Sequence, residues 1–325
     1  MKPFWHVPET SPQPRAFLLV ETMKLKMINL PHLADQVFGV PHYATRQIMD
    51  SVKAVLVPRL QGSGSPDLSM AFEADDAPEP EQTQAAGGIA VIPVHGILVP
   101  RRGQITAACT ELTSYERIRS LINVALNDAA VSEIVLDINS GGGAAVGCKE
   151  LADYIFQSRE VKPITAIVNF SAYSAAYFIA SACSKVIVSQ TSGVGSIGVI
   201  MEHMEASKWE ENIGLKFTTI FRGDNKNNGS QHEPLSEQAR AMFQGMIDDM
   251  YEKFTSSVAE YRGLNQQAVI DTQAAFYFGA DAVAAGLADE VSDPQSAINA
   301  IAAKYRTPQQ SILLRASVMD MQTQL

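Results

Sequence analysis

Three short stretches hold residues whose types and spacing could do chemistry on a carbonyl group. Asn139-Ser140-Gly141-Gly142-Gly143 follows a buried apolar run at 133–138. Glycines at a strand end let a ligand approach the backbone closely and leave N–H donors facing it. Such donors can form an oxyanion hole, although a plain strand-to-helix turn would use the same residues. A phosphate loop fits less well, because no Gly-Lys-Ser/Thr follows. The second stretch, 169–180, turns sharply from strand to helix with Ser174 near the helix start. There a serine meets the helix dipole and the free N–H groups of the first turn, and the N–H of Ala175 could serve as a second oxyanion donor. The competing reading makes Ser174 or Ser171 a helix cap. The third stretch, Arg222-Gly-Asp-Asn-Lys226-Asn-Asn-Gly229, is a polar loop. Its lysine is a base only if burial lowers its pKa, and otherwise it is a solvated charge.

The elements that must position these residues alternate. Apolar runs at 89–94, 133–138, 164–168 and 185–188 read as strands, and 217–221 as a further one. Helical patterns occupy 114–128, about 145–158, 174–182 and a long stretch 236–262 that opens on Pro234-Leu235-Ser236-Glu237. Strands alternating with helices imply βαβ units and a largely parallel sheet, an α/β fold. Residues 1–60 carry a small helical N-terminal segment, with apolar positions at helical spacing from about residue 30, and 61–86 is a flexible linker rich in Gly, Ser, Pro, Asp and Glu. The main domain is expected over 87–306, followed by a polar tail at 307–325.

Composition narrows the classes. The chain has 325 residues, is 46% hydrophobic and 18% charged, and carries a net charge of −10, which argues against a nucleic-acid partner. Cys109, Cys148 and Cys183 show neither metal-ligand spacing nor an even count for a disulfide framework, so no metal is expected and a reducing compartment fits. With no nucleotide loop either, no cofactor is expected. No apolar run of about 18 residues appears, so no stable membrane insertion is expected.

In this order, the motifs resemble those of the signal peptide peptidase A family of serine peptidases, which have a ClpP/crotonase-like fold. The matching pieces are Ile138-Asn-Ser-Gly-Gly-Gly143, Ala172-Tyr-Ser-Ala-Ala-Tyr-Phe-Ile179, Gly195-Ser-Ile-Gly-Val199, Gly223-Asp-Asn-Lys226 and the closing segment Phe278–Val291. The resemblance implies Ser174 as nucleophile and Lys226, 52 residues later, as general base. It implies oxyanion donors at Gly143, with Gly142 beside it, and at Ala175. Two departures stand out. Gly141 replaces the usual proline of Ser-Pro-Gly-Gly, and Ala175-Ala176 replaces the usual Gly-Gly after the nucleophile. Alanine keeps its N–H.

Within the family, Leu30-Pro-His-Leu-Ala34, the acidic linker and the lack of a membrane anchor resemble the phage branch, the lambda-type head maturation proteases. That branch implies scaffold, portal or other capsid proteins as substrates, a homo-oligomer, and a location in the host cytoplasm inside the procapsid. Because the chain stops soon after Tyr305, a scaffold would be a separate protein or a lost extension. Three other readings stay open. One is a cellular signal-peptide peptidase that digests membrane remnants. One is a ClpP-type or acyl-CoA enzyme with His203 as the rival base, His95 being structural. One is a catalytically silent assembly factor.

Overall fold

The computed structural model describes residues 34, 36–60, 83–85, 88–102 and 112–305. Most of the expected linker and the whole expected tail lie outside these residues, as do Cys109 and Leu30-Pro-His-Leu.

The larger sheet is built from the apolar runs. Strands β3 (Ile89–His95), β6 (Glu133–Ser140) and β8 (Ile164–Tyr173) lie side by side in parallel. The long β8 serves two neighbours. Its first half pairs in parallel with β9 (Lys185–Val188), its last residues with β10 (Gly193–Gly195). Short antiparallel edges close the sheet: β2 (Thr83–Ala85) on β3 and β11 (Phe276–Phe278) on β10.

Successive residues on a strand point to opposite faces, and this sheet is covered on both. Ile134, Leu136 and Ile138 face one core with Ile118 and Ile122 of α2 (Tyr115–Asn127), Leu151 and Ile155 of α3 (Cys148–Ser158) and the wholly buried α4 (Ala175–Ser181). Ile89, Val135, Ile167 and Ile187 face Ala297, Ile301 and Ala302 of α9 (Pro294–Tyr305). Burial on both faces is why these strands read as unbroken apolar runs and why parallel βαβ crossovers were legible.

A second, small sheet lies at the carboxyl ends of these strands, with strand order β1-β7-β4-β5. It joins β1 (His42–Ala44), β4 (Leu98–Val99), β5 (Thr113–Ser114) and β7 (Gly142–Ala144). The N-terminal helix is present as α1 (Arg46–Leu60), but the strand before it pairs directly with the glycine loop, His42–Ala44 running antiparallel to Ala144–Gly142.

The long helix α6 (Glu237–Arg262) has the expected ends: Ser236 Oγ accepts from the Ala239 N–H at 3.1 Å, and Gly263 adopts φ 65° after the last turn. Its apolar side chains divide between core and solvent. Phe254 is buried and Met250 packs against the core, while Met246 is exposed. Arg262 at its end is almost buried and forks onto Asp289 at 2.7 and 2.9 Å, tying α6 to the closing segment.

One expected strand is absent. Residues 215–222 form no regular element, and every residue from 211 to 226 is exposed. A strand needs a neighbour for its N–H and C=O groups, and none lies alongside among the described residues.

Candidate active site

Ser174 sits where β8 ends and α4 begins. Its backbone is at φ 55° and ψ −118°, a conformation that non-glycine residues rarely adopt. Such an outlier is kept only where the surroundings enforce it. The Ser174 N–H donates to the Gly195 carbonyl at 2.9 Å, and the Ser174 carbonyl accepts from Phe178 one turn into α4. Its hydroxyl is buried and has no hydrogen-bond partner among the described residues. This is not a capping serine, because no backbone N–H of α4 bonds its side chain. The Gly195-Ser-Ile-Gly segment, which reads alone as a mere strand or turn, supplies the carbonyl that fixes the nucleophile's backbone.

The glycine loop reaches the same point. Gly142 has φ 100°, and a Cβ placed on it would lie 3.1 Å from both Ser174 Cβ and the Ala175 nitrogen, and 2.1 Å from the Tyr43 carbonyl oxygen. Only glycine fits there. Gly143 is a ladder residue, opposite Tyr43 on one side and Leu98 on the other, and a Cβ on it would meet the Leu98 carbonyl at 1.9 Å. Of the two glycines implied by the resemblance, Gly142 is therefore the one that abuts Ser174. Its N–H donates to Ser140 Oγ at 3.1 Å, and that hydroxyl donates to the Gly96 carbonyl at 2.6 Å, so Ser140 aligns the loop. Ala175 opens α4, where N–H groups have no intrahelical acceptor.

Substituting Gly142 by alanine should push Tyr43 and Ser174 apart. We expect activity to fall on the order of a hundredfold and stability by roughly 2 kcal/mol, read from kcat/KM and chemical denaturation. Wild-type values would show that the loop does not touch the reaction.

Lys226 makes no hydrogen bond to Ser174. Its side chain is exposed and forms no hydrogen bond or ion pair among the described residues. The loop around it is ordered. The Lys226 N–H donates to Gly223 O at 2.9 Å, and Gln238 of α6 donates to Asp224 O and Asn225 Oδ1 at 3.1 and 3.0 Å. The segment leading into it presents apolar side chains to solvent: Trp209, Ile213, Leu215, Phe217, Phe221 and Ile220, the last 95% exposed.

The rival histidines are engaged. His203 Nε2 pairs with the Ser230 carbonyl at 3.1 Å, and His95 Nε2 pairs with Asp137 at 3.0 Å. The hydrogen bond to Asp137 raises the His95 pKa. Cys148 and Cys183 are buried free thiols whose pKa burial pushes up, which makes them poor nucleophiles. Among the described residues no His/Cys/Asp/Glu cluster could hold a metal, and no helix is long and apolar enough to cross a membrane.

Sequence reasoning missed two groups at the site, the Gly195 carbonyl and Tyr43. His42, beside Tyr43, makes stability depend on pH. Burial lowers its pKa, against smaller opposing effects from the Val37 carbonyl and Glu202, whose carboxylate is paired with Arg46 and Lys53. The unfolded chain thus takes up the His42 proton more readily than the folded one. Stability contributed by neutral His42 is fully present above the ordinary value of 6.5 and is lost as pH falls below it. We expect the midpoint of thermal unfolding to drop between about pH 7 and about pH 5, and His42→Gln to flatten that slope. An equal slope in the variant would assign the effect elsewhere.

The model of peptidase family S49 matches residues 157–307. The chain is 40% identical over 219 residues to the head-tail preconnector protein GP5 of Enterobacteria phage P21, covering 67% of this chain and 44% of that protein. It is 34% identical over 291 residues to the capsid assembly protease C of Escherichia phage lambda, covering 85% of this chain and 66% of that one. The chain thus spans less than two thirds of the length of either relative. Among solved structures, a ClpP1 mutant from Listeria monocytogenes aligns with 63% of this chain and 92% of its own, at 13% identity and a TM-score of 0.37. Residues 157–307 thus carry a peptidase family S49 match, and the chain is similar to these two phage proteins.

Proposed function

We propose that the chain is a serine endopeptidase of the head maturation type, in which Ser174 attacks the peptide carbonyl and Lys226 is the general base. The observation that carries this reading is Ser174 itself: a buried, unpartnered hydroxyl held at a positive φ against Gly142 and the first turn of α4. Nucleophilic attack places negative charge on the carbonyl oxygen. The N–H of Ala175, with that of Gly143, would receive that charge. Lys226 Nζ would take the hydroxyl proton and deliver it to the leaving amine, and water would then release the acyl-enzyme by the same path.

A lysine works this way only when desolvated, and Lys226 lies open in the single chain. The exposed apolar segment at 209–221 that precedes it supports a homo-oligomer in which a neighbouring copy buries this loop and completes the site. Substrates would be scaffold, portal or capsid proteins, by analogy with the capsid assembly protease of phage lambda, and the site of action the procapsid in the host cytoplasm. Co-expression with candidate phage head proteins tests the assignment. Wild type should truncate at least one of them and Ser174→Ala none. Identical processing by both would sink it.

A further inference from the structure

The strand that lies against the nucleophile belongs to the chain's own N-terminal segment. Strand β1 runs antiparallel to β7, although β7, β4 and β5 are mutually parallel, so it enters the small sheet as an added strand. It is bonded along both edges. On one side the Thr45 N–H donates to the Gly141 carbonyl at 3.0 Å, next to the glycine that abuts Ser174. On the other, His42 and Ile200 exchange N–H···O bonds at 2.8 and 3.0 Å, and the Gly39 N–H donates to Glu202 at 2.8 Å. That second edge continues the Gly195 segment, whose carbonyl holds the Ser174 N–H. An extended peptide laid between two backbone edges, with one side chain in a pocket, is how clefts of this kind take substrates.

The pocket is present and filled. Tyr43 is 1% exposed. Its ring lies 4.7 Å from that of Phe254 and 5.7 Å from that of Phe178, which is one helical turn after Ser174. Its hydroxyl donates to the Met250 carbonyl at 2.8 Å. The Tyr43 carbonyl and Ser174 Cβ converge on the point where a Gly142 Cβ would stand. Ser174 meanwhile has no exposed surface, so no substrate reaches it while this arrangement persists.

We propose that residues 39–45 occupy the peptidase's own substrate cleft, and that the Tyr43 pocket is the subsite for an aromatic substrate side chain beside the scissile bond. The Met250 carbonyl at its end favours tyrosine over phenylalanine, since only tyrosine can donate a further hydrogen bond to it. Peptides bind by displacing β1, which makes the segment an intramolecular competitor. The inference rests on Ser174 being the nucleophile.

Two probes separate the inference from that premise. A small alkyl fluorophosphonate reports Ser174 reactivity alone, and a peptidyl boronate ending in tyrosine also needs the cleft. In the full-length wild-type protein the boronate should block fluorophosphonate labelling of Ser174. Hydrogen exchange should then show amides 42–45 losing protection at least about tenfold. Blocking with unaltered protection at 42–45, or no blocking by the tyrosine boronate, overturns the inference while labelling of Ser174 sustains the premise. Failure of the small probe to label Ser174 overturns both. In Tyr43→Ala, the ratio of peptidyl-boronate on-rate to small-probe rate should rise about tenfold, a ratio that ordinary loss of folding stability leaves unchanged because it lowers both rates alike. A ratio at or below the wild-type value counts against the inference.

Discussion

Ser174→Ala should lower peptide hydrolysis on the order of 10⁴-fold or more while the protein stays folded. The size follows from chemistry: no other hydroxyl at the end of β8 is presented by an enforced positive φ, and Ser171 is engaged with Asn139 at 3.1 Å. The intact fold follows from packing. Ser174 Oγ makes no hydrogen bond, so its removal orphans no partner. Alanine keeps the N–H that bonds Gly195 and tolerates the strained backbone about as poorly as serine does. The thermal midpoint should therefore shift by only a few degrees. A large fall in stability would mean that the serine serves structure, and full retention of hydrolysis would remove it from the reaction.

Lys226→Ala should be nearly as damaging, on the order of 10³-fold or more, and His203→Ala close to neutral for turnover. His203 already bonds the Ser230 carbonyl, whereas Lys226 heads an exposed loop with no partner of its own among the described residues. An exposed lysine would serve Ser174 only after burial, and the apolar side chains at 209–221 give a second copy a surface to bury. That arrangement has a sharp consequence. Mixed oligomers of Ser174→Ala and Lys226→Ala should recover part of the wild-type activity, because one subunit still offers the serine and its neighbour the lysine. Recovery should depend on subunit exchange and vanish when the two changes share a chain. No recovery in demonstrably mixed oligomers would confine both groups to one subunit, and an active Lys226→Ala with an inactive His203→Ala would replace the dyad.

The sequence foretold these features unevenly. Strands β3, β6 and β9 and helix α6 were legible because local signals and tertiary burial agree there. The strands are apolar on both faces, and α6 carries a serine cap and a glycine stop. The end of β8 was not. Beyond Val168 it continues through Asn169, Phe170 and Ser171, with Phe170 at φ 89° and 72% exposed, where the register against β6 slips. The strand expected at 217–221 has the right residues but no edge to join among the described residues, so its pattern describes a surface. Strand β1 is three residues after a proline, too short for any periodicity to mark.

The candidate site divides along the same line. Ser174, Gly142 and Ala175 come together because strand ends and a helix start bring them there, and those elements could be read. Tyr43 arrives from more than a hundred residues away and left no local trace. Lys226 could be named through resemblance alone, since what covers a loop lysine is decided by packing that no spacing encodes.

The most direct measurement is covalent: fluorophosphonate labelling of the full-length protein in its assembled state, followed by mass spectrometry of the peptide that contains residue 174. One adduct per chain is expected, on Ser174, strongly slowed in Lys226→Ala. A folded, assembled protein with no adduct on Ser174, or one labelled on another serine, would contradict it.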